Sequence, residues 1–380
     1  MRFSLFIIFL IGSFTSVAQK QGDIWYFGIK AGLDFTTGTA VPIFNGETGT
    51  DVSGDNQEGT ASISDSAGNI LFYTGGKTIW NRNHTAMPNG TDLLGGTSAT
   101  QSSIIIPKPG STHLFYVFTA DEFQNYFTPP QQGYRYNVVD MCLDGGNGDI
   151  VSGEKNIMLL DSSTEKLAAC EDFSGNGYWI LGHKMFSDAF YAWHLTNTGI
   201  DAPVISHIGT IHGWDNEHSS WVPGSAQGQM KFNPQGTKIA LVIGNFDPAI
   251  LDIFNFDKST GLVNSSCHIA IDSLLHKSAY GLEFSPDGSK LYVALSGGTV
   301  GRVLYQYDVT AAGSNCSAVI ASKVQIYQTG DGIAGGFQLA PDNKIYLLLD
   351  ENNDLSCINS PNATGNAVDF NPQLLLSLPE

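Results

Sequence analysis

Apolar residues recur at every second position through much of this chain, in short runs broken by Gly, Pro, Asn and Asp. That period puts alternate side chains on one face of a strand. Residues 280–295 (YGLEFSPDGSKLYVAL) show it most clearly. Leu282 and Phe284 mark one run, and Leu291, Val293 and Leu295 mark the next. Between them, Pro286 fixes φ early in a turn and Gly288 accepts positive φ later. The stretch predicts two strands joined by a tight turn.

The same pattern begins at residues 60, 102, 167, 228, 280 and 335. The turn positions are Gly68, Gly110, Gly175, Gly236 and Gly288, with Asn343 in the sixth copy. Asn is the residue after Gly that best tolerates left-handed φ. A third apolar run follows each hairpin, at 78–82, 134–141, 190–195, 251–256, 304–309 and 355–358. Small residues such as Gly59, Ser102, Ala168, Gly228, Gly281 and Gly335 cluster near the start of each copy, as strands crowded around one axis require. A three- to four-stranded unit repeated at this spacing predicts an all-β chain folded as a β-propeller. Residues 24–27, 33–35 and 41–44 read as outer strands of a further blade. The design is therefore seven-bladed, with six blades evident and the seventh lacking an inner strand. Residues 374–380 (LLLSLPE) stand where a closing strand would begin. Two expectations follow, a poorly closed ring or a chain that is a fragment.

Composition narrows the setting. Only 14% of residues are charged, and the formal net charge is −18. No basic cluster stands out, so nucleic-acid and anionic-membrane partners are disfavoured. Arg2, the apolar run 3–11 and Ser16-Val17-Ala18 predict a signal peptide over residues 1–18. Residues 19–380 then form one domain, exported to the cell surface or medium, or to the periplasm if no sorting domain follows. No cysteine stands directly after the cleavage site, which disfavours a lipoprotein, and no later apolar run is long enough to span a bilayer. Cys142, Cys170, Cys267, Cys316 and Cys357 are odd in number and lack CxxC spacing, so no pairing is assigned.

Several stretches carry a family resemblance: 24–35 (IWYFGIKAGLDF), 58–73 (EGTASISDSAGNILFY), 79–89 (IWNRNHTAMPN), 101–109 (QSSIIIPKP), 280–286 (YGLEFSP), 338–346 (QLAPDNKIY) and 358–362 (INSPN). Through them the chain resembles the N-terminal propeller region of secreted and surface proteins of Bacteroidota. Those proteins often carry PKD-type repeats and a gliding-motility or type IX secretion sorting domain. The resemblance implies a propeller in a surface context. Its motifs are structural rather than catalytic, and the sorting domain itself is not in this sequence. Residues 290–294 (KLYVA) and 304–309 also resemble YVTN-type and lactonase-like propellers, over a single blade.

Candidate chemistry lies in the loops. Residues 207–221 (HIGTIHGWDNEHSSW) hold His207, His212, Asp215, Glu217 and His218, a donor set suited to a divalent ion although its spacing matches no metal motif. Glu58, Gln101, Lys166, Gln227 and Tyr280 should ring the channel mouth, where with Trp214 they could hold a protein or glycan. Trp25, Trp80, Trp179 and Trp193 fall on strands and should pack blades together. No nucleophile, metalloprotease, P-loop or complete EF-hand motif occurs. Residues 144–149 (DGGNGD) have the flavour of a calcium loop without its distal Glu. The reading is a non-catalytic binding or presentation module with no cofactor beyond a divalent ion. The alternative is a lactonase- or lyase-like enzyme with His212 and Glu217 at its site.

Overall fold

The structure, a computed structural model, describes residues 20–27, 30–47, 58–127, 131–215, 220–244, 248–271, 278–296, 301–330, 335–348 and 355–374. The signal-peptide segment lies outside them.

The chain is all-β and forms a seven-bladed propeller. The first blade comprises Ile24–Phe27, Ala31–Asp34 and Val41–Ile43. The second comprises Ala61–Ser64, Ile70–Thr74 and Ile79–Asn81. The third runs Ser103–Pro107, Leu114–Thr119 and Tyr134–Asp140, with Asp149–Ile150 and Ile157–Leu160 sharing its outer edge. The fourth runs Leu167–Glu171, Tyr178–His183 and Ala189–Thr196, edged by Gly199–Ile200 and Val204–His207. The fifth, sixth and seventh begin at Met230–Phe232, Ser278–Phe284 and Phe337–Leu339, and each has four antiparallel strands.

The repeated hairpin forms as its sequence predicts. Leu282 pairs with Val293 and Phe284 with Leu291. All six turn positions have positive φ, Asn343 at 62° included. The inner strands lie side by side around the axis. They come close enough that a Cβ on Gly281 would strike the Gly335 carbonyl, so only glycine fits there.

Seven apolar layers separate seven blades. Val242 and Leu251 meet Leu282 and Tyr305 between the fifth and sixth. Leu33 and Phe35 meet Tyr346 and Leu355 between the seventh and first. Tyr26 meets Tyr73 and Trp80 between the first and second. The ring is thus closed by packing, which removes the expectation of poor closure. The first blade does not consist of outer strands only. Ile24–Phe27 lies against the inner strand Ala61–Ser64, and the Tyr26 amide donates to Ser62 Oγ at 3.0 Å. Phe370–Leu374 completes the outer edge of the seventh blade by pairing with Leu355–Ile358. The proposed closing strand falls on residues beyond 374, outside the described set.

Cys267, on the outer strand of the fifth blade, is disulfide-bonded to Cys316 at the start of the helix Cys316–Ala321 in the sixth. No helix among the described residues is long and apolar enough to cross a membrane.

Candidate functional site

Each inner strand starts at one end of the channel, here termed the mouth. The second strand of each blade ends, and the third begins, at the same end.

Most of the polar side chains there hold the ring together. Gln101 donates from Nε2 to Leu167 O at 3.1 Å and Met230 O at 3.0 Å, while its Oε1 accepts from Met230 N at 2.7 Å. One amide thereby ties three blades. Gln229, which the sequence pattern did not single out, does the same further round. Its Oε1 accepts from Leu282 N and Phe337 N at 3.1 and 2.9 Å, and its Nε2 donates to Phe337 O at 3.3 Å. Deeper in the channel Lys231 sits 3.1 Å from Glu283, whose oxygens also accept from Phe284 N and Leu339 N.

Lys166 was expected to line the rim. It is fully buried instead, and its Nζ donates to Ala226 O at 2.9 Å and Gln227 O at 2.6 Å. Burial pulls its pKa down to about 7, against the attraction of Glu165. Glu165 is equally buried. Its Oε2 accepts from Thr100 N and Oγ1 at 2.9 and 2.8 Å, and its Oε1 from Phe123 N at 3.0 Å. Burial still raises its pKa to about 7. Gln101 and Lys166 are therefore staples between blades rather than groups presented to a ligand. Gln227 is half-buried, and its carbonyl is one of those staples' acceptors.

Glu58 and Tyr280 differ. Glu58 stands exposed at the start of the second blade, and the Tyr280 hydroxyl reaches it from the sixth and donates to Oε2. Ser98 Oγ donates to the other oxygen at 3.0 Å. Crowding by the surrounding chain raises the Glu58 pKa, the bonds from Tyr280 and Ser98 oppose that, and the nearby Glu122 adds to it. The Tyr280 hydroxyl is held well above its usual pKa by burial and then by Glu58.

Two members of the histidine-rich stretch, His207 and His212, occupy different surroundings. His207 projects into solvent and holds Asp188 Oδ1 through Nδ1 at 2.7 Å. His212 is buried against His183, with ring centroids 4.0 Å apart. Among the described residues neither ring nitrogen of His212 has a well-formed hydrogen-bond partner. Burial lowers the His183 pKa to about 3 and that of His212 well below its usual value, so both rings are neutral at physiological pH. Trp214 and Asp215 lie on a two-stranded hairpin in which Trp214 pairs with Trp221. Glu217 and His218 fall outside the described residues. The four strand tryptophans pack as expected, Trp193 at 2% exposure among them.

The chain matches no protein-family model and no curated protein. Solved structures share its fold. A Lactobacillus plantarum protein is 15% identical, with a TM-score of 0.50, over 89% of this chain and 90% of its own. A proposed 6-phosphogluconolactonase from Bacteroides fragilis is 13% identical, with a TM-score of 0.50, over 91% of each chain. The periplasmic gluconolactonase of Pseudomonas aeruginosa is 10% identical, with a TM-score of 0.50, over 91% of this chain and 93% of its own.

Proposed function

We propose that this propeller is a hydrolase of small polyhydroxylated lactones, acting at its channel mouth. The observation that carries the reading is the Glu58–Tyr280 contact. Among the mouth residues described above, it is the polar pair that faces solvent instead of being consumed by backbone groups. A carboxylate with raised proton affinity is the better general base near neutral pH. Glu58 takes a proton from water as the water oxygen bonds to the lactone carbonyl carbon. The ring C–O bond then breaks, and the ring oxygen takes that proton back. Lactone and water give a hydroxy acid, and the carboxylate is regenerated. Tyr280 orients Glu58 through its hydroxyl. Two fold neighbours described as lactonases support this reading, which replaces His212 and Glu217 as the chemical pair.

The test is acid release from a panel of γ- and δ-lactones by the mature chain. Glu58→Gln should lower kcat/KM by at least 100-fold with the fold intact. No acid release above the blank, or an unimpaired variant, would overturn the reading.

A second reading is a non-catalytic module that binds a glycan or protein at the mouth, favoured by how many mouth groups are locked into the ring. We also propose that the chain is exported and matures at Gln19. The Cys267–Cys316 disulfide supports an oxidising compartment. N-terminal sequencing of the secreted or periplasmic product should begin at Gln19.

A further inference from the structure

At the end of the third blade away from the mouth, three residues of different chemistry converge. His113 lies in the turn before the strand Leu114–Thr119, and Asp140 ends the strand Tyr134–Asp140. Cys142 follows two residues later and is exposed and unpaired. A ligand atom from each lies within 4.8 Å of the other two.

The backbone fixes this arrangement. Met141 N donates to His113 O at 2.9 Å, which stitches the hairpin turn to the end of the neighbouring strand. The Met141 side chain is buried and anchors that strand end. Cys142 N donates to Asp140 Oδ1 at 2.8 Å, leaving the carboxylate a second oxygen. The donors therefore come from two chain segments held in place by packing and hydrogen bonds, and not from one flexible loop.

We propose that His113, Asp140 and Cys142 form a zinc site. A thiolate, an imidazole and a carboxylate together suit Zn²⁺, whereas Ca²⁺ and Mg²⁺ select oxygen donors alone. Tetrahedral zinc with bonds of 2.0–2.3 Å needs ligand atoms roughly 3.5 Å apart. Rotation of the exposed Cys142 side chain supplies the closure required. Three protein ligands leave the fourth position to water. The adjoining stretch that looked like a calcium loop does not compete. Its Asp149 accepts from Asn89 N and Nδ2 at 2.8 and 2.6 Å and serves the fold. The zinc site lies on another blade, at the opposite end of the propeller from Glu58, and is independent of the lactonase reading.

The experiment uses the mature chain, reduced and freed of metal, with Co²⁺ as the probe. One equivalent should produce a near-ultraviolet thiolate-to-cobalt charge-transfer band and the visible bands of a tetrahedral ion, all abolished by Zn²⁺. Cys142→Ser should lose the charge-transfer band, and His113→Ala should weaken binding at least tenfold. Zinc should raise the Tm of the wild type and leave that of the double variant, His113→Ala with Cys142→Ser, unchanged. Absence of the band, its persistence in Cys142→Ser, or stoichiometric zinc retained by the double variant would each overturn the proposal.

Discussion

The two ends of the blades hold together in different ways. At the turn end the bonds that shape each hairpin are mostly local, although Gln235 Nε2 donates to Asp287 O and Asp287 N donates to Asn362 Oδ1, each at 3.2 Å, across to neighbouring blades. Asp287 Oδ1 accepts from Ser289 N and Ser285 Oγ at 2.9 and 2.7 Å, and Gly288 supplies the positive φ, all within five residues. At the mouth the bonds cross the chain. Gln101 reaches Met230, and Gln229 reaches Phe337. Local chemistry shapes the blades, and a few long side chains hold the ring. The difference predicts that damage at the mouth should spread over several blades, whereas damage at a turn should stay in one.

The largest expected effect is at Gln229. Gln229→Leu leaves the buried amides of Leu282 and Phe337 without an acceptor. Unsatisfied buried groups of this kind cost roughly 1–3 kcal/mol each. Urea unfolding should show a loss of about 3–5 kcal/mol, and hydrogen exchange should rise in the fifth, sixth and seventh blades together. An effect confined to the fifth blade would break the comparison.

Gly288→Val comes next. It forces φ of 71° on a β-branched residue, and the new side chain meets the Gln235 amide of the neighbouring blade. A loss of about 2–3 kcal/mol is expected. Exchange should quicken in the 280–295 hairpin and remain slow elsewhere.

A smaller effect concerns pH. The folded Lys166 has a pKa near 7, below its unfolded value. Between that pH and about 10 the unfolded chain binds a proton that the folded chain lacks, so stability rises with pH. From pH 7.5 to 9.5 the wild type should gain on the order of 2 kcal/mol, and Lys166→Met should lose that gain. Glu165 acts in the opposite sense. Its raised pKa makes stability fall as pH rises from about 4.5 to 7.

The same contrast explains what the sequence made legible. Turns, third strands and the six-fold hairpin rest on residues adjacent in the chain, so Gly288 or Asn343 can be read directly. The mouth could be located, because inner strands begin there, yet the role of each residue could not be assigned. Gln101 and Lys166 look like rim groups until the carbonyls of Met230, Ala226 and Gln227 come into place. Gln229 carries no local signal at all. The same holds for Cys267 and Cys316, joined across two blades at a sequence separation of 49. His113 and Cys142 likewise flank different strands. The histidine-rich stretch is the reverse case, since His207 and His212 are close in sequence and yet one is exposed and the other buried.

Glu58 at the mouth works as a base whose raised proton affinity is moderated by Tyr280. The direct measurement is the pH dependence of kcat/KM for lactone hydrolysis by the wild type and Tyr280→Phe. Removing the hydroxyl takes away a bond that stabilises the carboxylate. The account predicts an acid limb displaced to higher pH in Tyr280→Phe. An acid limb at the same pH in both proteins would contradict it.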